Sequence, residues 1–295
     1  MKDYIIRATA AEGYIRAFAA QTTQMVETAR KTHNLYPIAS AALGRTMTAA
    51  SMMAIDLKNE RDTLSIIIKG GGPIGSIVVV ANAKGMVKGY VDNPFVDLPL
   101  NSEGKLDVAG AVGTNGKLTV IKDYKLKEPY IGQVDIVTGE IAEDITYYFA
   151  VSEQQPSATA LGVLVNPDLS IKASGGFIIQ PMPGAPDELI EDIEKKLSKT
   201  TPVSTQIANG KTPENILEDI IGEYGLKINQ YLDVLFKCDC NRKRLESVLI
   251  SLGKEELEDI LKNDGKAELV CHYCNKKYNF NADELKELIR QASST

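Results

Sequence analysis

Long apolar runs are missing from this sequence. The longest, such as Ile77 to Ala81, have the length of a β-strand, whereas a helix needs roughly 20 apolar residues to cross a bilayer. Between Met1 and Arg7 an acid and an arginine stand where a signal peptide carries a basic stretch and then an uninterrupted apolar run. We therefore expect no membrane segment and no secretion, hence a cytoplasmic protein.

Cysteine and histidine are scarce, and tryptophan is absent. Four cysteines in 295 residues are too few for a disulfide scaffold, and a reducing compartment keeps them as thiols that can bind metal. His33 ends a predicted helix and His272 lies between two cysteines. No other histidine is left for a catalytic triad, so we expect no catalytic residues and a protein that is not an enzyme.

An excess of positive charge is also missing. The formal net charge is -6, so the field of the whole molecule repels phosphate backbones, and nucleic acid is not an expected partner. Two glycine-rich stretches, Gly70–Ser76 and Gly110–Gly116, lack the Lys-Ser or Lys-Thr pair that closes a phosphate loop. Both are interpreted as turns, and no nucleotide site is expected.

The patterns that are present indicate an α+β fold of two or three domains. Two strands from Tyr4 to Ala20 flank a turn, and Thr22 is placed to cap a helix ending near His33. A second, buried helix is predicted from Pro37 to Leu57. Further strands are predicted at 64–69, 74–82, 86–92, 117–122, 133–137, 160–165 and 170–179, with a helix from Glu140 to Gln154.

The composition changes after the last predicted strand. Prolines 181, 183 and 186 interrupt the strand pattern, and charged helices follow, one of them capped by Thr212. We predict three parts: a core domain at 1–180 with mixed sheet and helices, a helical, metastable linker at 181–230, and a zinc-binding domain at 231–295. Within the last part, three helix patterns are recognisable, and Asn281 with Glu284 resembles a capping box.

All four cysteines fall in the last part, as two close pairs. Cys238 and Cys240 form a Cys-x-Cys pair, and Cys271 and Cys274 form a Cys-x-x-Cys pair about 30 residues later. Two such pairs present four thiolates to one tetrahedral ion, and four soft ligands favour zinc. The spacing therefore predicts one zinc ion per chain on Cys238, Cys240, Cys271 and Cys274, with His272 outside the ligand set.

A site with four cysteine ligands has no open position for water, so this zinc is predicted to be structural. The core of so small a domain supplies only ~3 to 5 kcal/mol, whereas a zinc site contributes on the order of 10. Removing the metal should unfold the domain, and oxidation of the thiolates removes it. The spacing thus allows a redox switch, while four cysteines permit three disulfide connectivities.

Two other functions are compatible with parts of this pattern. A zinc-dependent nucleic-acid-binding protein is suggested by Arg242-Lys243-Arg244 and Lys276-Lys277, although the last part carries no net positive charge. A thiol oxidoreductase is suggested by Cys271 and Cys274, although such enzymes place Cys-x-x-Cys early, at the start of a helix.

The whole chain resembles the heat-shock protein 33 family of redox-regulated holdase chaperones. The cysteine spacing at the end of an α+β chain is the most specific part of the resemblance. Other segments that carry it are Ala39–Met47, Gly70–Gly75, Val112–Gly116 and Gly175–Gln180.

The resemblance implies an ATP-independent bacterial cytosolic chaperone that is inactive when reduced and zinc-bound. Peroxide with heat, or hypochlorous acid, would oxidise Cys238 to Cys240 and Cys271 to Cys274, one disulfide per close pair. Zinc would then leave, the metal domain and linker would unfold, and a homodimer would bind unfolding or oxidatively damaged client proteins. The resemblance assigns no client-binding residues.

Overall fold

The computed structural model describes residues 2–292, which form two compact units that divide after Lys237. The described part of the first unit contains two sheets and seven α-helices. Its strands are β1 (Tyr4–Ala10), β2 (Ile15–Gln21), β3 (Thr63–Lys69), β4 (Ser76–Asn82), β5 (Met86–Val91), β6 (Lys117–Asp123), β7 (Tyr130–Asp135), β8 (Ala158–Val165), β9 (Ile171–Pro181), β10 (Lys227–Asp233) and β11 (Leu235–Phe236). Its helices are α1 (Thr23–His33), α2 (Pro37–Ala54), α3 (Val108–Val112), α4 (Ile141–Val151), α5 (Asp187–Leu197), α6 (Val203–Ala208) and α7 (Pro213–Ile221).

Sheet A has the strand order β10-β1-β2-β9-β8 and is antiparallel throughout. Sheet B has the order β11-β5-β4-β3-β6-β7, in which only the short β11 runs parallel to its neighbour β5. The long helix α2 packs against strands of both sheets. Its small residues, from Ala39 to Ala50, allow this close approach and are almost all buried. The α+β class and the buried second helix are thus as predicted.

Sheet A contributes to two separate hydrophobic cores because successive side chains of a strand point to opposite faces. On one face, Ile5, Phe18 and Ile178 join the core around α2. The opposite face, which we call the outer face of sheet A, packs against α5, α6 and α7. Its buried residues are Ile6, Ala8, Ala10, Ile15, Ala17, Ala19, Ala173, Phe177 and Ile179.

The helices α5, α6 and α7 are amphipathic. The apolar side of α7 carries Ile216, Leu217, Ile220 and Ile221, which are almost fully buried, and Thr212 caps this helix as the sequence predicts. The outward side is charged. Because these helices have little core of their own, their order depends on the sheet that they cover.

The cap of α1 differs from the prediction. Thr22 occupies the N-cap position, but its hydroxyl makes hydrogen bonds with Thr48 and Ser174 instead of capping the helix. The backbone N–H of Met25 donates to Asp3 Oδ2 at 2.6 Å. The side chain of the residue just before β1 therefore satisfies the start of α1, a partner that no local pattern around Thr22 indicates.

Burial of the Asp3 carboxyl has a consequence for stability. Burial raises its pKa from 3.8 to about 6, against the opposing effect of the Met25 hydrogen bond. The folded state therefore holds this proton more tightly than the unfolded state, so stability falls as the pH rises between these two values. We expect Asp3→Asn, which stays neutral, to remove this dependence.

The expected difference is measurable by urea unfolding at a series of pH values. Relative to Asp3→Asn, the wild-type protein should gain up to about 3 kcal/mol as the pH falls from 7 to 4. Parallel pH profiles for the two proteins would show that Asp3 does not titrate in this way.

The second unit contains α8 (Arg242–Ser251), α9 (Lys254–Asn263), the β12–β13 hairpin (Ala267–Val270 and Lys277–Phe280) and α10 (Ala282–Ala292). The three predicted helices are present. Asn281 Oδ1 accepts from the backbone N–H of Glu284, and Glu284 accepts from that of Asn281, which is the predicted capping box. Among residues 238–292, the core of this unit has six buried residues: Leu249, Leu257, Tyr278, Phe280, Leu285 and Leu288.

All residues up to Lys237 belong to one compact unit, because α5–α7 pack on sheet A and β10 is one of its strands. The division into 1–180, 181–230 and 231–295 concerns which segments unfold together, and it stays a prediction. Between residues 2 and 292, no helix is both long enough and apolar enough to cross a membrane.

Candidate metal centre

The first pair of cysteines lies just before α8. Cys240 precedes Asn241, whose side chain caps the helix by accepting from the backbone N–H of Arg244 at 3.0 Å. This cap fixes the direction in which the chain enters α8. Cys238 stands two residues earlier, outside any helix or strand.

The second pair lies in the turn of the β12–β13 hairpin. The backbone N–H of Cys271 donates to the carbonyl of Lys276 at 3.0 Å, and that of Cys274 donates to the carbonyl of Cys271 at 3.2 Å. Asn275 has a left-handed backbone with φ of 57°, a conformation that asparagine tolerates better than most residues. The tight turn brings both thiols to one side.

The four sulfur atoms lie within 4.8 Å of one another. Cys238 Sγ is 3.7 Å from Cys271 Sγ, and Cys240 Sγ is 3.4 Å from Cys274 Sγ. Four sulfurs at about 2.3 Å from a tetrahedral ion would be roughly 3.8 Å apart. The structure thus brings together all four predicted ligands in an arrangement that can hold one metal ion, and the set leaves no position for water.

The acidity of the thiols reflects their crowding. Burial raises the pKa of Cys238 well above its usual range and that of Cys274 to about 11. Burial also acts to raise the pKa of Cys240, but hydrogen bonds from Tyr278 and the other cysteines outweigh it and lower the pKa. Four thiolates at this distance repel one another, so a bound cation would have to displace protons and offset that repulsion.

Two side chains outside the ligand set stabilise the centre, and no sequence pattern indicates this role for either of them. The Tyr278 hydroxyl lies 3.2 Å from both the carbonyl oxygen and the Sγ atom of Cys240, while its ring is in the small core. Arg242 donates to the Asn279 carbonyl and to Glu284 and lies over the Phe280 ring. Together they connect the start of α8 to β13 and α10.

Four of the five basic residues that suggested nucleic-acid binding, all but Lys243, have partners within the second unit. Arg242 is engaged as described, Arg244 lies 3.6 Å from Asp239, and Lys277 lies 2.9 Å from Glu268. The ammonium of Lys276 lies over the Tyr278 ring. These contacts offset the positive charge within the unit, and they favour no nucleic-acid interface.

The remaining candidates are not part of the sulfur cluster. His272 is exposed and is outside the ligand set, as expected. His33 is buried at the end of α1, with its ring against Phe236. Gly70–Ser76 forms the connection between β3 and β4, and Gly113–Gly116 joins α3 to β6. The first stretch is a turn, as predicted. The second stretch, Gly110–Gly116, is a turn only from Gly113 onward, because Gly110 to Val112 form the end of α3, which Asp107 caps by accepting from the backbone N–H of Gly110.

An α+β unit followed by a small unit built around four thiols is the arrangement found in a class of molecular chaperones, and the comparisons with known proteins agree. A protein called 33 kDa chaperonin from Acetivibrio thermocellus is 56% identical over 290 residues, which cover 98% of each chain. A protein of the same name from Bacillus subtilis is 52% identical over 291 residues, 99% of each chain.

The family follows from the same comparisons. The sequence model of a protein family, described as Hsp33 protein, matches residues 3–281 of this chain. A crystal structure of the 33 kDa chaperonin, heat shock protein 33 homolog, from Thermotoga maritima has a TM-score of 0.92 at 39% identity and covers 100% of both chains. The chain belongs to the Hsp33 family and is a molecular chaperone, as the cysteine spacing and the other segments predicted.

Proposed function

We propose that this chaperone is an ATP-independent holdase controlled by oxidation of its four cysteines. In the reduced state one zinc ion is bound and the protein is inactive. In the oxidised state it acts in the cytoplasm as a homodimer that binds unfolding proteins and prevents their aggregation. The observation that carries the proposal is the cluster of four sulfurs within 4.8 Å in a unit with only six buried core residues.

The four thiols suit zinc because they are soft ligands in a closed, tetrahedral set. A bound zinc ion supplies positive charge that keeps the thiolates together and stabilises the fold of the second unit. The chain supplies the rest. The hairpin turn orients Cys271 and Cys274, the capped start of α8 orients Cys240, and the Tyr278 hydroxyl donates to its sulfur.

Oxidation removes this ligand set. In each disulfide two thiolates of the ligand set lose two electrons and form an S–S bond. One hydrogen peroxide takes up these two electrons together with two protons from the solvent and is reduced to two water molecules. We propose the pairs Cys238 to Cys240 and Cys271 to Cys274, following the family resemblance. The closest sulfurs in the folded protein belong to different pairs. Once the unit unfolds, however, residues close in sequence meet most often.

Loss of the metal leaves a unit that cannot stay folded. A domain of fewer than about 70 residues rarely has more than 3 to 5 kcal/mol from its core, whereas structural zinc contributes about 10 kcal/mol or more. The chain then loses order at Cys238. Immediately before it, β11 pairs with β5 through only two residues, so disorder is expected to extend towards β10 and α7.

The surface that becomes available is the outer face of sheet A. In the folded chain α5, α6 and α7 cover it, and its residues are buried. The helices have few apolar contacts beyond this face, so their departure exposes a contiguous apolar surface, the property that binds unfolding proteins. The sheet itself keeps its other core around α2.

The experiment that tests the proposal follows zinc release and aggregation suppression in one sample. Reduced protein should hold one zinc ion and fail to protect thermally unfolding malate dehydrogenase. Peroxide at raised temperature should release the zinc and confer protection, and dithiothreitol with zinc should reverse both. Equal protection by the two redox states, or protection without zinc release, would contradict the proposal.

Tyr278 gives a test of how the centre is supported. Tyr278→Phe keeps the ring in the core and removes the hydroxyl that donates to Cys240 Sγ. Such supporting hydrogen bonds contribute about 10- to 100-fold to metal affinity. We expect zinc affinity to fall by that factor in competition with a chelator. Tyr14→Phe, at an exposed tyrosine of the first unit, should have no effect, and equal affinities for the two variants would remove Tyr278 from the centre.

A further inference from the structure

The helix α5 lies farther from the metal centre along the chain than the other two helices that cover sheet A. Both α6 and α7 stand between it and Cys238. Among residues 187–197, Ile193 alone is buried, so packing on the sheet holds α5 only weakly. Disorder that spread from Cys238 strictly in chain order would have to release α7 and then α6 before it reached α5.

A group of polar side chains, which we call the Lys196 cluster, joins α5 directly to the turn that precedes β10. This turn, Gly222–Tyr224, follows α7. Lys196 Nζ lies 2.5 Å from Glu223 Oε1 and donates to the Tyr224 hydroxyl at 3.2 Å. The Tyr224 hydroxyl donates to Asp192, which lies one helical turn before Lys196. The cluster therefore consists of two residues of α5 and two residues of the turn.

Lys196 is set apart from the neighbouring lysine by its burial and by its partners. Its side chain is 26% exposed, and its ammonium lies 4.5 Å from the centre of the Tyr224 ring. The side chain of Lys195 is 69% exposed, and its ion pair with Glu191 stays within α5. Burial acts to lower the pKa of Lys196, but hydrogen bonds with Glu223 and Tyr224 outweigh it and raise the pKa above its usual range. The cluster thus keeps its positive charge at neutral pH.

The helix α6 has different neighbours. It packs against β8 and β9, and β8 is the edge of sheet A opposite to β10. Loss of β10 therefore removes no strand from beneath α6, whereas it removes the strand into which the turn at 222–224 runs. The two helices α5 and α6 should respond differently when β10 detaches.

We infer that the Lys196 cluster makes α5 leave sheet A together with β10, ahead of α6. When β10 detaches, the turn loses its support on one side, and Glu223 and Tyr224 move away from Lys196. The remaining apolar contact at Ile193 is too small to hold α5 in place. The inference rests on the proposed function, because it specifies how loss of the zinc ion reaches the first of the cover helices.

The first test separates the cluster from the general packing of α5. Lys196→Met keeps the apolar stem and removes the ammonium, and Lys195→Met is the matched control. In the reduced, zinc-bound protein, amide exchange in residues 187–197 should be roughly 3- to 10-fold faster in Lys196→Met and unchanged in Lys195→Met. Equal exchange rates in the two variants overturn the inference.

A double-mutant cycle tests whether the two sides of the cluster act on each other. Glu223→Gln should also speed exchange in α5, and the double variant with Lys196→Met should show less than the product of the two single effects, because both changes remove the same interaction. Lys195→Met combined with Glu223→Gln should give the simple product. A simple product in both pairs overturns the inference.

The second test follows the order of events after peroxide is added at raised temperature. Pulsed amide exchange should show that α5 and β10 of the wild type lose protection with the same rate constant, and that α6 loses protection later. In Lys196→Met the rate constants of α5 and β10 should differ, because the contact that joins them is gone. Loss of protection in α6 before α5, or equal rate constants of α5 and β10 in Lys196→Met, overturns the inference.

Protection of malate dehydrogenase, measured in the same samples, distinguishes this inference from the proposed function. Client protection by a wild type in which α6 opens before α5 overturns the Lys196 cluster and leaves the proposed function standing. An oxidised wild type that gives no protection overturns the proposed function, and the order of exchange then still decides whether α5 and β10 are joined.

Discussion

Cys271→Ser is expected to release the proposed zinc ion and unfold the second unit without any oxidant. Cys271 is the most buried of the four cysteines, and its backbone N–H and C=O both hold the hairpin turn. Without this thiolate, three sulfurs remain and the set of four ligands is incomplete. The second unit then loses the contribution of the site to its folding free energy, which for structural zinc is about 10 kcal/mol or more. Zinc content should fall from one per chain to nearly none after dialysis against a chelator.

The same variant should be active in the reduced state if the proposed function holds. Amide exchange should become fast throughout residues 242–292, and malate dehydrogenase should be protected in the presence of dithiothreitol. Val248→Ser, a change to serine at a residue of α8 that is about half exposed, serves as the control and should keep zinc and stay inactive. A reduced Cys271→Ser protein that has lost zinc but gives no protection would break the link between metal and activity.

Ile216→Asp is expected to separate the helices from sheet A while the metal stays bound. Ile216 is fully buried where α7 meets β1 and β2. A carboxylate there has no partner and costs several kcal/mol, more than about 4 if the helix stays in place. Because α5–α7 have little core apart from this contact, they should leave the sheet before the rest of the unit unfolds. The reduced, zinc-bound variant should therefore protect the client.

Glu218→Asp is the matched control for Ile216→Asp, because it also introduces an aspartate into α7 but at an exposed position. It should change neither stability nor activity. Measured zinc content should equal that of the wild type in both variants. An inactive, zinc-bound Ile216→Asp protein with rapid exchange in α5–α7 would show that exposure of the outer face is not sufficient for holding clients.

The sequence predicts the ligands of the metal centre because each pair is local. Each pair, Cys238 with Cys240 and Cys271 with Cys274, is recognisable within a few residues. Because the chain has no other cysteine, the two pairs are the only candidates for a site with four cysteine ligands. Tyr278 was missed because, in Lys277–Phe280, it follows the ordinary alternation of a strand. Only the folded hairpin reveals that its hydroxyl reaches Cys240.

The sequence did not predict the structural features that depend on a partner far away along the chain. β10 alternates half-buried and exposed residues and looks like part of a linker, but it pairs with β1 from the opposite end of the first unit. Asp3 caps a helix that begins twenty residues later. The apolar stripe of α7 predicts a helix. The sequence does not show which surface this helix covers, because more than half of the buried residues on that surface are alanines.

The alanines on the outer face of sheet A determine how selective that face can be. On β1 and β2, Ala8 pairs with Ala17, while Ala10 pairs with Ile15 and Ala19 pairs with Ile6, so four of these six residues are alanine. Short side chains make a smooth surface without deep pockets, and a smooth surface distinguishes poorly between the shapes of the chains laid on it. The protein would therefore be promiscuous towards sequence, and its discrimination would lie in the timing of exposure.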